Sequence, residues 1–337
     1  MKKTLAFIVC IAMVSVFFSF SVSADGGYKI GFSNYGIGNS FRVQMEEEFK
    51  AHANALKEEG VLSDYIMVNA DGDVSKQIAD MRDLINSGVD AILISAASPS
   101  ALSPVCEEAE QAGIKVIVFN EVVDTDKVTC KLEQNETEYG TIGAQWLADK
   151  LGGKGNIVCL NGAAGANVDI VRTNAYQAVF ANYPEIKILS EVCCDWDYAK
   201  AKEAMQNLIS AYGEQIDGVY SQGGAMSQAV IDAYTEAGMR LVPCTAEGNN
   251  GFLKIWKANQ AAGFTSVAPA SATYVSAKAL DIAIDALNGK EVEAHQWIDM
   301  PIITDENIDE YVREDLPDSF WNATWLTEDQ LQAIYGK

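Results

Sequence analysis

The stretch IGFSNYGIGNSFRVQM, residues 30–45, joins the end of an apolar run to the start of an amphipathic segment. The run Tyr28–Asn34 is short and mostly apolar or aromatic, which is typical of a strand buried on both faces. The segment Ser40–Glu59 has apolar residues at helical spacing and stops before Gly60, a residue type that commonly ends helices. A buried strand followed at once by a helix predicts a strand–helix–strand unit, in which the strands pair in parallel.

The same alternation continues along the chain as far as residue 287. Predicted strands follow at residues 65–70, 91–95, 115–120, 156–161, 187–194, 218–221, 241–246 and 263–267. Predicted helices occupy residues 74–86, 100–112, 138–151, 168–181, 198–211, 225–237, 250–259 and 271–287. The stretch 128–134 is a hairpin or a connection, after which the pattern restarts. The sequence therefore predicts an α/β fold of two similar three-layer lobes, each an open parallel sheet covered by helices on both faces.

The first 24 residues have the features of a secretory signal peptide. Lys2 and Lys3 precede the apolar run Leu5–Phe20, and Val22 and Ala24 are residues that a cleavage site accepts. We therefore expect cleavage after Ala24 and an exported, periplasmic protein without an anchor. An uncleaved membrane anchor is the alternative, but the apolar run is shorter than the roughly 20 residues that span a bilayer.

The chain is strongly acidic, with 24 Lys and Arg against 47 Asp and Glu. Because duplex nucleic acid is bound through clustered cations, we expect no nucleic-acid partner. The acidity favours solubility and mutual repulsion instead. The two histidines, His52 and His295, are far apart in the sequence and belong to no cluster with metal-ligand spacing. We therefore expect neither a metal nor another cofactor.

Six cysteines remain after residue 24, in a compartment that permits disulfides. An even number is only suggestive, so the sequence leaves the disulfide state open. Cys159, Cys193 and Cys244 lie in predicted strands, where a cysteine more often packs as a small apolar side chain. We expect these three side chains to be buried.

Ligands of open α/β sheets bind beyond the carboxyl ends of the strands, so the residues directly after each predicted strand are candidates. They are polar side chains interspersed with Phe41 and Trp196. Hydroxyl groups need paired hydrogen bonds and the C–H faces of a ring need flat aromatic surface, so this mixture suits a polyhydroxylated ligand. The candidates are Asn34, the loop 36–42, Asn120, Glu121, the loop 162–167 with Arg172, the turn 194–197, Gln222, Gly223 and residues 247–249.

Three stretches resemble the ribose-binding-protein branch of the type I periplasmic binding proteins, and the similarity extends along essentially the whole mature sequence. Residues 30–45 resemble the family's first strand and its Asn-containing loop. KVIVFNEVV, residues 115–123, resembles a strand that ends in a polar pair. NGAAGANVDIVRTNAYQAVF, residues 161–180, resembles a Gly-Ala loop followed by an arginine and an aromatic residue.

The resemblance implies a monomeric binding protein that closes around a sugar or polyol and delivers it to the permease of an ABC transporter. It implies lobes formed by residues 25–130 plus 268–298 and by residues 131–267 plus 299–337. It also implies a hinge of three crossing strands near Val128–Gln134, Val267 and Trp297–Met300. The implied ligand-binding residues, with Gln222 at the position after the middle strand, are Asn39, Phe41, Arg42, Asn120, Glu121, Arg172, Trp196, Gln222 and Glu247.

The chain departs from the family pattern at three places. Asn120-Glu121 stands where the family has Asp-Arg, Gln222-Gly223-Gly224 where it has Asn-Asp, and Val267 where a glutamine is frequent. Ribose is therefore doubtful as the ligand, and a hexose, a furanose, a sugar alcohol or another polyol stays open. The tail Trp321–Lys337 extends past the shorter ribose-type proteins, and we expect it to pack on the second lobe.

Other functions use the same features differently. A ligand-presenting sensory receptor is compatible with all of them, whereas a transcriptional regulator would need DNA-binding helices where the signal peptide stands. A secreted glycosidase would need a carboxylate pair such as Glu121 and Glu247, but we expect binding without catalytic residues. We also expect Arg172→Ala and Trp196→Ala each to weaken binding by about 2 kcal/mol and to leave the fold intact.

Overall fold

The computed structural model describes residues 26–336, which form two six-stranded sheets with helices on both faces. The strands are β1 (Tyr28–Asn34), β2 (Leu62–Asn69), β3 (Ala91–Ser95), β4 (Lys115–Phe119), β5 (Cys130–Glu133), β6 (Lys154–Asn161), β7 (Glu185–Cys193), β8 (Gly218–Ser221), β9 (Cys244–Thr245), β10 (Ser266–Pro269), β11 (His295–Trp297) and β12 (Ile302–Ile303). The helices are α1 (Ser40–Glu58), α2 (Val74–Asn86), α3 (Pro99–Gln111), α4 (Glu136–Lys150), α5 (Asn167–Phe180), α6 (Tyr198–Tyr212), α7 (Gly224–Glu236), α8 (Asn250–Gln260), α9 (Val275–Leu287) and α10 (Glu328–Tyr335).

The first lobe is the sheet ordered β11-β5-β4-β3-β1-β2, with α1, α2, α3 and α9 packed on it. All of its neighbouring strands pair in parallel. On one face Phe32 contacts the rings of Phe49 and Phe119 at centroid distances of 4.4 and 5.5 Å. On the other face Ile92 and Val118 are fully buried under α2 and α3. Burial on both faces is what the near-continuous apolar strands predicted.

The second lobe is the sheet ordered β12-β10-β9-β8-β6-β7, with α4 to α8 packed on it. Only β12 runs antiparallel to its neighbour, β10. The predicted strand 241–246 shrinks to the two residues of β9. Pro243, which precedes β9, has no backbone N–H with which to continue the pairing.

The predicted alternation of strands and helices is confirmed, and several helix starts have a visible cause. Asn39 caps α1 by accepting a hydrogen bond from the backbone N–H of Arg42 at 3.0 Å. Ser98 caps α3, whose first residue is Pro99, a residue type favoured at that position because it needs no N–H partner there. Helix α9 begins only at Val275, since the chain crosses between the lobes just before it.

The chain crosses between the lobes at three connections: from β5 to α4, from β10 to α9 and from β11 to β12. The stretch 128–134 is therefore not a hairpin, because β5 pairs in parallel with both β4 and β11. Residues 131–133, expected in the second lobe, belong to the first sheet, and residues 268–269, expected in the first lobe, belong to the second sheet. Val267 lies inside β10, so the second crossing follows it at residues 270–274.

The C-terminal tail crosses between the lobes a fourth time, and the expectation that it packs on the second lobe holds only in part: Trp321 and Asn322 pair with Asn249 and Gly248, and Glu328 accepts from Arg313, but most of the tail packs on the first lobe. The backbone of Trp321 is hydrogen-bonded to the side chain of Gln44 on α1. Further along, Trp325 stacks on Tyr274 and its N–H donates to Glu48 of α1. Gln44 and Glu48 of α1 are the buried polar partners that hold the tail on the first lobe.

The cysteine prediction holds for two of three residues. Cys159 and Cys244 are fully buried, whereas Cys193 is exposed. Cys193 is the last residue of β7, the edge strand of its sheet, where the helices that cover the central strands do not extend over its side chain. All six cysteines between residues 26 and 336 are free thiols.

The predicted signal peptide, residues 1–24, lies outside the described residues. Within residues 26–336 none of the helices combines the length and apolar character needed to cross a membrane.

Candidate functional site

A cavity of about 290 Å³ lies between the two lobes, at the carboxyl ends of both sheets. Its position is the one that open α/β sheets provide for ligands. It is lined by Gly38, Asn39, Ser40, Phe41, Arg42, Asn120, Glu121, Val168, Arg172, Trp196, Asp197, Tyr198, Gly223, Gly224, Ala225, Glu247, Ser271 and Trp321.

Arg42 dominates the first lobe's side of the cavity. It is only 3% exposed, and its Nη1 donates to Asn34 Oδ1 at 2.8 Å and to Ser95 Oγ at 3.2 Å. Its guanidinium lies 3.7 Å from the ring centroid of Tyr35. Because Asn34 and Ser95 end β1 and β3, the sheet itself holds this cation in place.

Asn120 and Glu121 follow β4 and turn the chain towards the second lobe. Asn120 has φ of +59°, a left-handed conformation that asparagine tolerates better than most residues. The turn brings Glu121 Oε1 to 3.8 Å from Arg42 Nη2. Glu121 Oε2 accepts a hydrogen bond at 3.2 Å from the N–H of Val168, in the first turn of α5. Glu121 therefore connects the lobes, at a helix end whose dipole favours a negative charge.

Arg172 on α5 is the centre of a buried ion-pair network. Its Nε donates to Glu136 Oε2 at 2.6 Å, and its Nη1 lies 3.2 Å from Glu247 Oε1. Nη1 also donates to the backbone carbonyl of Gln222 at 2.8 Å, and Nη2 donates to Ser271 Oγ at 3.3 Å. Each donor nitrogen already has a partner within the protein, so Arg172 holds the second lobe's side of the cavity together.

Burial raises the pKa of Glu247, against the lowering effect of Arg172 and of the hydrogen bond from the Ser271 hydroxyl. The guanidinium of Arg172 also lies 3.5 Å from the ring centroid of Tyr139. Arg172 is therefore a structural residue as well as a cavity residue. The expectation that Arg172→Ala leaves the fold intact is inconsistent with this network.

Trp196 reaches the cavity from a tight turn after β7. Asp195 and Trp196 have φ of +54° and +52°, and the N–H of Asp197 donates to the carbonyl of Cys194 at 2.8 Å. Two consecutive positive φ angles at the centre of a four-residue turn define a type I′ turn, which disfavours a bulky residue such as tryptophan. Such strained positions cluster at ligand-contacting sites.

The indole of Trp196 lies against the backbone of two glycines. A Cβ added to Gly162 would lie 2.1 Å from Trp196 Cζ2, and one added to Gly223 would lie 2.9 Å from Trp196 Cδ1. Only glycine leaves room for the ring at Gly162. The ring is thereby fixed as a flat apolar wall of the cavity.

Residues 30–291 match the family model described as a periplasmic binding protein domain. The chain belongs to this family. The xylitol-binding protein of Mycolicibacterium smegmatis is 32% identical over 281 residues, which are 83% of this chain and 78% of that protein. An ABC transporter solute binding protein from Thermobispora bispora has the same fold, with a TM-score of 0.81 and 28% identity over 91% of this chain and 95% of that one.

A third similar protein is the periplasmic binding protein component of the arabinose ABC transporter from Shewanella sp. ANA-3, solved with α- and β-L-arabinofuranose. Its TM-score is 0.73 and its identity 28%, over 84% of this chain and 94% of that one. The predicted family and its two-lobed α/β fold are confirmed.

In this periplasmic binding protein, eight of the nine predicted site residues line the one cavity. The exception is Gln222, whose side chain donates to Thr173 Oγ1 at 2.9 Å and to Asn161 Oδ1 at 3.4 Å, inside the second lobe. Gln222 contributes to the site only through its backbone carbonyl, which accepts a hydrogen bond from Arg172. Gln222 follows β8 as predicted, but its side chain points away from the cleft.

Six lining residues were missing from the prediction: Val168, Tyr198, Gly224, Ala225, Ser271 and Trp321. Tyr198 begins α6 directly after the Trp196 turn, so its proximity was a usable signal. Ser271 lies in the second of the connections between the lobes, residues 270–274. It was overlooked because the predicted helix 271–287 included it. Trp321 belongs to the tail and follows no predicted strand, so a search of the residues after strands could not find it.

Four of the five charged side chains that line the cavity form ion pairs, and the fifth, Asp197, accepts from the backbone N–H of Lys200. Arg42 faces Glu121, and Arg172 faces Glu247 with Glu136 behind it. Among residues 26–336 there is no cluster of three or more His, Cys, Asp and Glu side chains with the geometry of a metal site. Such a cavity suits an uncharged ligand that exchanges hydrogen bonds with charged groups.

The buried carboxyl of Glu121 makes the folding stability depend on pH. Burial raises its pKa from 4.5 to about 6, although Arg42 and the N–H of Val168 favour the charged form. The folded state therefore binds this proton more tightly than the unfolded state. Stability contributed by this group is present below pH 4.5 and is lost as the pH rises through about 6.

We expect the ligand-free protein to gain about 2 kcal/mol of stability from this group between pH 7.5 and pH 4.5. Urea denaturation of Glu121→Gln beside the wild type isolates the contribution, because the variant cannot titrate there. The pH profile of the variant should be flatter across this window. Parallel profiles for the two proteins would contradict the assignment.

Proposed function

We propose that this periplasmic binding protein captures an uncharged sugar or polyol between its lobes and delivers it to an ABC importer. The observation that carries the proposal is the cavity itself, whose wall combines two buried Arg–Glu pairs with the flat surface of Trp196. Charged groups that are already paired can still exchange hydrogen bonds with ligand hydroxyls. The indole offers the apolar surface that a C–H face requires.

The ligand class is supported by the similar proteins. One is named for xylitol and one was solved with L-arabinofuranose, and both compounds carry five carbons and several hydroxyl groups. The cavity of about 290 Å³ is of the size that suits a monosaccharide rather than a larger ligand. We infer a sugar or polyol of five or six carbons.

The closed arrangement described here supports capture by lobe closure. Glu121 of the first lobe accepts a hydrogen bond from Val168 of the second. A ligand that contacts both sides favours this arrangement, because only the closed form satisfies both sets of contacts. We propose lobes of residues 26–133, 275–298 and 321–336 and of residues 136–269 and 302–320.

We propose binding without chemical conversion. The two cavity carboxylates that a glycosidase would use, Glu121 and Glu247, are each held against an arginine and a further hydrogen-bond donor. The family consists of binding proteins. We further propose that the protein acts in the periplasm as a monomer after export, with cleavage near Ala24.

A thermal-shift screen of residues 25–337 tests the proposed ligand class. The probes are xylitol, D-glucitol, L-arabinose, D-ribose, D-galactose and myo-inositol, beside a nucleoside and a set of amino acids. A ligand at 1,000 times its dissociation constant stabilises the folded state by about 4 kcal/mol, so at least one sugar or polyol should raise the melting temperature clearly. A shift with only the nucleoside or an amino acid would be consistent with ligand capture between the lobes but would contradict the proposed sugar or polyol class.

A further inference from the structure

The end of the chain passes from the second lobe to the first beside the cavity. The carbonyls of Asp318 and Phe320 accept hydrogen bonds at 3.0 and 2.9 Å from the N–H groups of Gly251 and Asn250, at the start of α8. Trp321 itself forms an antiparallel bridge with Asn249. The backbone N–H of Asn322 also donates to the carbonyl of Gly248 at 3.3 Å, so the chain stays attached to the second lobe up to this point.

We call Trp321–Tyr335 the C-terminal strap, and its first residue is attached to the first lobe. The side chain of Gln44, which is fully buried, accepts from the N–H of Trp321 at 2.8 Å and donates to its carbonyl at 2.9 Å. The hydroxyl of Tyr335 donates to the same Gln44 oxygen at 3.0 Å. The indole Nε1 of Trp321 donates to Ser40 Oγ at 3.0 Å. Both the backbone and the ring of Trp321 are therefore held in one position.

A buried carboxylate secures the strap further along. Glu48 on α1 is 2% exposed and accepts hydrogen bonds from the hydroxyls of Thr273, at 2.9 Å, and of Thr324. It also accepts from the N–H of Trp325 at 3.1 Å. Residues of α1, of the second crossing and of the strap thus share one polar cluster.

This anchoring directs the Trp321 ring at the cavity. The ring is 4% exposed, lines the cavity and packs edge-on against Phe41, with the centroids 5.3 Å apart. Trp196 and Tyr198 line the same cavity from the second lobe. The large apolar side chains that line the cavity from the first lobe's side are therefore Phe41 and Trp321, and Trp321 comes from the strap.

We propose that Trp321 contacts the bound ligand and sets how long a ligand the cavity accepts. The inference rests on the proposed sugar or polyol function and names a selectivity residue of the same site. The family model matches residues 30–291, and Trp321 lies beyond them. The strap therefore adds one wall to a cavity whose other lining residues lie within the matched part. Loss of the indole would lengthen the cavity, and a ligand with one more CH₂OH group would then fit nearly as well.

Isothermal titration calorimetry with two pairs of probes tests this proposal. Xylitol and D-glucitol differ by one CH₂OH group, as do L-arabinose and D-galactose. For the pair that the wild type binds, Trp321→Ala should weaken the tighter probe by about tenfold or more. It should also reduce the preference for the tighter probe, expressed as the ratio of the two dissociation constants, by about tenfold. Trp321→Phe keeps an aromatic wall and should change the ratio less.

Trp325→Ala is the matched control, because Trp325 is a strap tryptophan that is 45% exposed and does not line the cavity. It should lower the melting temperature and leave the ratio of dissociation constants unchanged. An unchanged ratio in Trp321→Ala, beside a wild type that binds, overturns the role of Trp321 and leaves the proposed function standing. A wild type that binds none of the four probes or the others in the screen overturns the proposed function, and the role of Trp321 with it.

Discussion

Arg172→Ala will lower the free energy of unfolding of the ligand-free protein by about 3–5 kcal/mol and will also abolish ligand binding. The change leaves Glu136 and Glu247 buried without the cation that both contact. It also removes one of the two donors to the Gln222 carbonyl, the other being the Tyr139 hydroxyl. Removing one partner of a buried ion pair costs far more than the pair contributes, because the remaining charge stays desolvated. Urea denaturation of the wild type and the variant measures the difference directly.

A triple variant separates charge from packing. Arg172→Met combined with Glu136→Gln and Glu247→Gln removes all three charges and retains similar side-chain volumes. Its stability should recover most of the loss, as replacement of buried ion pairs by uncharged groups often does, while binding stays absent. If Arg172→Ala unfolds at the wild-type urea concentration, the network does not stabilise the fold and the residue serves the ligand alone.

Trp196→Ala will weaken ligand binding about 30-fold, equivalent to about 2 kcal/mol, and will leave the folded lobes intact. The ring is half-buried and stands in a turn outside the sheet, where it packs on the edge of the second lobe's core, so its loss removes mainly cavity wall. Gly162→Ala should reproduce this loss, because its Cβ would lie 2.1 Å from the Trp196 ring. Calorimetric titration with the ligand identified by the screen measures both variants.

The double variant decides whether the two substitutions act through the same ring. Once Gly162→Ala has displaced the indole, adding Trp196→Ala should cost little more, so the free-energy changes should be strongly non-additive. Gly36→Ala is the control, since its Cβ would lie no nearer than 3.8 Å to another atom outside its chain neighbours. Additive losses, or a Gly162→Ala variant that binds as the wild type does, would contradict the role given to this glycine.

The fold was predictable because its signals are local. Tyr28–Asn34 and Ala91–Ser95 were predicted to the residue, since a short apolar run bounded by polar residues allows little else. β9 was overpredicted, because the apolar run before Pro243 resembles a strand that the proline interrupts. Local patterns do not reveal where a crossing begins, so the start of α9 was placed four residues early.

The site was predictable where it follows from strand ends. Glu121 and Trp196 were found in this way, each directly after a strand. The side-chain direction of Gln222 was not, because it depends on Thr173 and Asn161, which only the folded lobe brings near. The same holds for the partners of Arg172 and for Trp321, whose bond to Gln44 joins residues 277 positions apart.

The crossings also determine when the lobes can complete their cores. The fully buried residues Ala279, Leu280 and Ala283 of α9 belong to the core that also contains β1 and α1. These residues follow the whole run from α4 to β10 in the sequence. The core of the first lobe therefore cannot be completed until α9 is available, although most of this lobe comes first in the chain. Residues 136–269 form a nearly continuous unit, but the core of the second lobe also needs the later residues Ile303 and Ile308. We therefore expect neither lobe to complete its core before the last quarter of the chain is available, with the apolar face of α1 uncovered until α9 packs on it.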